Sequence, residues 1–197
     1  MDEIDLVKKV QGGDMKAFEE LFEKYKYQAM RTAYLITGNK DLSEDILQEA
    51  FVQCYLSIKK LKKPEEFKSW FFRILTRIAW RQGKKEKKLM PVGESIEKIQ
   101  KVESYNSIET FHQDEAAKEL YQNIAKLEDK HRITLVLYYY NELSIKEISH
   151  MMGCLEGTVK SRLYMARKKL KTTLEDLYDE QINSHKRGVR NEKIRET

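Results

Sequence analysis

Along residues 2–88, apolar side chains recur every three or four positions with charged and amide residues between them, the period of amphipathic helices rather than strands. Asp14 is placed to cap a helix running to about Ile36, "GNK" breaks it, and Asp41 or Ser43 is placed to cap the next. Pro64 stands where a first helical turn tolerates proline. The pattern predicts a bundle of three main helices behind a short N-terminal one. After residue 113 the helical period returns, so the expected fold is all-α. It consists of two small helical domains, an N-terminal bundle and a C-terminal helix-turn-helix domain, joined by a flexible linker.

The stretch "EEFKSWFFRILTRIAWRQGKK" predicts the third main helix. Phe67, Phe71, Ile74, Leu75 and Ile78 fall in one sector and form its expected core face. Arg73, Arg77, Arg81 and Lys84 follow the opposite flank, with Trp70 and Trp80 among them. Rings interleaved with cations suit single-stranded nucleic acid, because bases stack on the rings for about 1–3 kcal/mol each while cations track the phosphates. In the preceding helix, "DLSEDILQEAFVQCYLSI", Ile46, Ala50 and Cys54 share an inward face with Leu47 and Phe51 beside them. Asp45, Gln48, Glu49 and Gln53 remain as polar surface. An acidic, amide-rich face repels phosphate and points to a protein partner.

In "LSIKEISHMMGCLEGTVKSRLYMARKKL", residues 143–170, Ser144 and Glu147 have the spacing of a capping box. Gly153 can end that helix in the left-handed conformation, and the chain restarts near Leu155. Two helices and a tight turn outline a helix-turn-helix. On the second helix Val159, Leu163, Ala166 and Leu170 point inward. Gly157, Ser161, Tyr164 and Lys168 point outward, flanked by Thr158, Lys160 and Met165, which makes a reading face for a DNA major groove.

Composition narrows the class. The 197 residues carry a net charge of only +5, so basic residues matter by where they cluster. Prolines occur only at 64 and 91, as suits a helical protein. Cys54 and Cys154 have no second ligand at metal spacing and read as buried thiols of a reducing compartment. "MDEIDLVKKV" lacks the form of a signal peptide, and the apolar run "ITLVLYYY" is too short to span a bilayer, so a cytoplasmic protein is expected.

These segments, in this order, resemble a bacterial RNA polymerase sigma factor of the extracytoplasmic function group, over roughly residues 5–175. "DILQEAF" resembles the region that docks on the β′ clamp helices. By that resemblance Asp45, Gln48, Glu49 and Phe51 bind core polymerase, whose β subunit is a further contact. "FKSWFFRILTRIAW" is similar to the segment that reads and opens the −10 element, which implies DNA contacts for Phe67, Trp70, Arg73, Arg77, Trp80, Arg81 and Lys84. "GTVKSRL" lies at the heart of the −35 reader, implying contacts from Thr158, Lys160, Ser161, Arg162, Tyr164 and Lys168. Leu155, Glu156, Met165 and Arg77 depart from the residues common at these places.

The resemblance divides the chain into a region-2 domain (1–88), a linker (89–113), a region-4 domain (114–180) and a basic mobile tail (181–197). The linker, with four Glu against two Lys, is expected to thread the polymerase channel near the RNA exit path. Such a factor directs polymerase to promoters, melts DNA and is held inactive by a cognate anti-sigma factor, often membrane-anchored. It makes no covalent bond itself and needs no cofactor, metal or small-molecule substrate. The rival readings are a helix-turn-helix regulator acting without polymerase and, more remotely, a recombinase or nuclease. The latter needs a nucleophile or clustered metal carboxylates that the N-terminal half does not offer.

Overall fold

The computed structural model describes residues 2–89 and 115–172, with side chains for 2–85 and 120–172. The expected linker beyond Leu89 and the expected tail lie outside the described residues. All regular structure among the described residues is helical: α1 (Glu3–Gln11), α2 (Met15–Thr37), α3 (Lys40–Ser57) and α4 (Phe67–Leu89), then α5 (Glu115–Ala125), α6 (Asp129–Leu135) and α7 (Ile145–Met152). An eighth helix, α8, covers 156–172.

Helix α2 starts where Asp14 accepts a hydrogen bond from the Ala17 N–H at 3.2 Å, and ends at Gly38, whose φ of 73° is the left-handed cap that glycine adopts without a Cβ clash. That turn leaves Asn39 extended, and its side chain caps α3 by accepting from the Leu42 N–H at 3.1 Å. Neither Asp41 nor Ser43 is the cap. The helix begins earlier than its acidic residues suggested because Gly38 reverses the chain at once. Asp41 instead adds charge to the first turn, and the buried Ser43 hydroxyl bonds back to the Asn39 carbonyl.

Phe67, Phe71, Leu75 and Ile78 of α4 are buried as expected, whereas Ile74 is half-buried. A second stripe, Phe72, Thr76 and Ala79, is also buried, because α2, α3 and α7 all pack on α4. The aromatic centre is dense. Tyr25 lies 5.5 Å from Phe67, 5.9 Å from Phe71 and 6.1 Å from Phe72 between ring centroids, and Phe51 lies 4.7 Å from Phe71. Such pairs add about 0.5–1.5 kcal/mol each beyond area burial.

The apolar run of the sequence becomes the buried end of α6 and a π-helical turn, Val136–Tyr140. Its Leu137, with Ile133, Leu143, Ile148, Val159 and Leu163, joins the same hydrophobic cluster as the bundle core. The two helical domains therefore share one interior. A smaller cluster of Leu127, Leu135 and Ala166 belongs to the C-terminal half alone.

Burial pushes the Cys54 thiol up to about 12, while Cys154 is partly exposed. An unfolded thiol ionises near about 8.5, so this group leaves stability untouched below about pH 8 and subtracts from it as pH climbs toward the folded value. Iodoacetamide at pH 8 should therefore modify Cys154 and spare Cys54 until denaturant is added. Equal rates at the two thiols in the native protein would contradict this packing.

Candidate nucleic-acid interface

The helix-turn-helix is built from local bonds. The Glu147 N–H donates to the Ser144 hydroxyl at 3.2 Å and the Ser144 N–H donates to the Glu147 carboxylate at 2.8 Å, closing the capping box. Gly153 ends α7 with φ 61°, and the Cys154 N–H returns to the Ser149 carbonyl at 3.0 Å. The Thr158 and Val159 N–H groups then bond the Leu155 carbonyl and start α8.

Val159, Leu163 and Ala166 of α8 are buried and Leu170 is half-buried, so the inward stripe is as the spacing predicted. Gly157, Lys160, Ser161, Tyr164, Met165 and Lys168 are exposed, Tyr164 at 60%. Thr158 is half-buried at the edge of that face. Arg162 sits elsewhere. Its guanidinium lies 3.6 Å from Met152 Sδ and 3.7 Å from Cys154 Sγ, so the side chain braces the turn behind the reading face. Nothing in the local spacing could have announced this, since the sulfurs come from the preceding helix end and turn.

On α4, Arg77, Arg81 and Lys84 are exposed. Arg73 is half-buried, and its pKa is lowered by that burial and then by neighbouring Arg77. Trp80 is half-buried under the Lys84 ammonium, 4.6 Å from its ring, so its face already carries a cation. Trp70 is half-buried with its ring 6.1 Å from Phe67. Phe67 is fully buried and closes the bundle core, so it presents no surface to DNA. The expectation that it touches DNA is corrected by its packing against Tyr25 and Phe71.

The α3 face is corrected in the same way. Phe51 is buried among Phe18, Phe22 and Phe71 and cannot meet a partner directly. Asp45 and Gln48 are exposed. The Glu49 carboxylate is half-buried and already bound: it accepts from the Gln82 amide at 2.6 Å, the Gln53 amide at 2.9 Å and the Arg81 guanidinium. Glu49 thus ties the acidic face of α3 to the basic flank of α4. Sequence reasoning missed Val52 and Leu56, which are 58% and 74% exposed one and two turns beyond Gln48. Their signal was present, two apolar side chains lying off the buried stripe of Ile46, Ala50 and Cys54.

Among the described residues no group of three or more His, Cys, Asp or Glu could hold a metal ion. The arrangement offers instead a basic aromatic flank, a reading helix and a mixed acidic and apolar face.

Family models place this geometry. Residues 21–88 match Sigma-70 region 2 and residues 117–170 match Sigma-70, region 4. The two matches in this order define a transcription initiation factor of the sigma-70 family. The ECF RNA polymerase sigma factor SigW of Bacillus subtilis is 31% identical over 179 residues, 87% of this chain and 96% of the relative. SigM of the same organism is 30% identical, over 84% of this chain and 97% of the relative. The ECF RNA polymerase sigma-E factor of Escherichia coli is 26% identical, over 87% and 94%. The chain belongs to the extracytoplasmic function group of RNA polymerase sigma factors, alternative sigma factors that serve transcription initiation. Its fold matches CnrH, solved in complex with the cytosolic domain of CnrY, with TM-score 0.66 at 18% identity over 88% of this chain and 97% of that one. It also matches RpoE, solved with the anti-sigma factor NepR from Bartonella quintana, with TM-score 0.63 at 20% identity over 81% and 98%.

Gly157 offers a direct check on the reading face. A Cβ there would meet nothing within 4 Å, and its φ is outside the left-handed region, so nothing inside the protein requires glycine. Gly157→Ala should keep or raise stability, by up to about 1 kcal/mol, yet weaken −35 duplex binding by about tenfold if a DNA backbone approaches there. Unchanged affinity would move the DNA off this end of the helix.

Proposed function

We propose that residues 1–88 dock on core polymerase and capture the melted −10 strand, and that residues 114–180 read the −35 element. The observation that carries this is the contrast across α8: one side is locked into the interior by Val159, Leu163 and Ala166, and the other presents Lys160, Ser161, Tyr164 and Lys168 to solvent. Lysine and the hydroxyls are donors for phosphates and base edges. Arg162 supports the reading indirectly, by fixing the turn that aims the helix.

On α4, Arg77 and Arg81 track phosphates, and Trp80 with Lys84 forms the edge against which an unstacked base rests. Duplex opening opposes about 1.4 kcal/mol of stacking per base-pair step, and base stacking on a ring returns a comparable amount. Melting is then a binding equilibrium that polymerase and sigma factor bias together. Asp45, Gln48, Val52 and Leu56 make the polymerase-facing strip on α3, with Glu49 holding Arg81 in place behind it. The region between the halves tethers the second domain and raises its effective concentration once the first has docked.

No described helix is long and apolar enough to cross a membrane, and we infer that the protein acts in the cytoplasm with the polymerase. Because CnrH and RpoE were solved with CnrY and the anti-sigma factor NepR, we infer that this chain too is held by a cognate anti-sigma factor.

Tyr164→Ala should weaken −35 binding by roughly 1–3 kcal/mol. Wild-type footprints for Lys160→Ala, Ser161→Ala and Tyr164→Ala holoenzymes would overturn the reading. On α4, Arg77→Ala with Trp80→Ala should depress transcription on duplex promoters and be partly rescued on templates pre-melted across the −10 region. Loss of phosphate contacts alone would weaken both templates alike and reduce the salt slope. A wild-type ratio between the templates would remove melting from this flank.

A further inference from the structure

We propose that the two halves of the free protein are latched by a polar joint between α2 and the segment 140–142, and that this latch must open before the protein can engage a promoter. The inference rests on the reading that both halves contact the same promoter.

At the centre of the joint the Asn141 amide donates to the Thr32 hydroxyl at 2.9 Å, across 109 positions of sequence, with both residues fully buried. The Thr32 hydroxyl in turn donates to the Gln28 carbonyl at 2.7 Å. Around this pair, the Tyr34 and Tyr121 rings stack at 4.9 Å and the Arg31 guanidinium lies 5.8 Å from the Tyr140 ring centre. Lys68, at the start of α4, pairs with Glu142 at 3.7 Å. Glu142 is the one non-glycine residue with a left-handed φ, 57°, among the described residues, a conformation disfavoured for a side chain with Cβ. It follows the π-helical turn and lies beside Asn141, so the strained backbone is what delivers the amide into the joint.

The joint has the chemistry of a contact made to separate. A permanent core at this place would be apolar, since a buried polar pair rarely outperforms well-packed hydrocarbon. Here the Asn141 carbonyl oxygen is buried with no protein partner, a group that water would satisfy on opening. Inter-domain contacts that come apart are more polar than obligate ones.

Geometry makes the opening obligatory. A compact chain of this length has a radius of gyration of about 16 Å and hence a diameter of about 40 Å. The −35 and −10 elements lie about 85 Å apart on B-form DNA at 3.4 Å per base pair. A latched molecule cannot cover both. The segment 89–113 reaches at most about 85 Å when fully extended, enough for the halves to separate along the promoter. Opening therefore subtracts from promoter affinity, and whatever stabilises the joint holds the factor back.

The test uses the full chain with nitroxides on Lys8→Cys and Lys146→Cys, both exposed positions, in a Cys154→Ser background, and measures their separation by pulsed electron resonance. The free protein should show one population within the compact diameter of about 40 Å, and the promoter-bound holoenzyme should show it gone. Thr32→Arg should populate the separated form without DNA and raise promoter occupancy at limiting polymerase. Thr32→Val with Asn141→Leu should tighten the joint and lower occupancy. One net hydrogen bond corresponds to about a fivefold shift in either direction. Opposite signs from two variants exclude misfolding as the cause. A broad, separated distribution in the wild-type free protein, or a short distance retained on the promoter, would overturn the latch. The free-protein distances need no DNA, so the latch can stand or fall independently of the −35 and −10 assignments.

Discussion

Helix α2 is the member on which the rest of the structure depends. It packs on α1, α3 and α4 through Ala17, Leu21, Tyr25 and Ala29, and its C-terminal half, from Gln28 to Ile36, meets α5, α6 and the π-helical turn. The alternation of large and small side chains lets it do both. Leu21 and Tyr25 fill the aromatic centre, whereas Ala29 and Ala33 let neighbouring helices approach closely. Its termini are fixed by Asp14 and Gly38, so its register against both halves is set locally before any long-range contact forms.

From that frame the working surfaces follow by subtraction. The aromatic packing that buries Phe51, Phe67 and Phe71 leaves Asp45, Gln48, Val52 and Leu56 on one side of the bundle and Arg77, Arg81 and Lys84 on another. Glu49 joins these surfaces through Arg81 and Gln82. The exposed Arg81–Glu49 pair contributes little to stability on its own. Its effect is positional, since it restrains a cation at the edge of the melting flank from beneath the polymerase-facing strip.

Local signals in the sequence were read well. The capping box of Ser144 and Glu147, the left-handed Gly153, the Asp14 cap and the inward stripe of α8 all depend on neighbours within a few positions, which a single sequence displays. Family motifs likewise identified the reading helix and the basic flank. What escaped depended on tertiary context. An aromatic inside a functional motif has the same letter whether it contacts a partner or fills a core, and Phe51 and Phe67 fill the core. The Asn39 cap followed from the reversal at Gly38, and Arg162 was withdrawn from the reading face by two sulfurs. The Thr32–Asn141 contact joins positions that no local period relates.

The central claim, that this chain makes polymerase open promoter DNA, is tested most directly by permanganate reactivity of thymines on a duplex selected from random DNA by the reconstituted holoenzyme. Core polymerase and the protein together should render thymines reactive only around the −10 position, and neither component alone should do so. Binding of the same duplex by the protein alone, with no thymine becoming reactive when core polymerase is added, would contradict the account and favour a regulator that acts without polymerase.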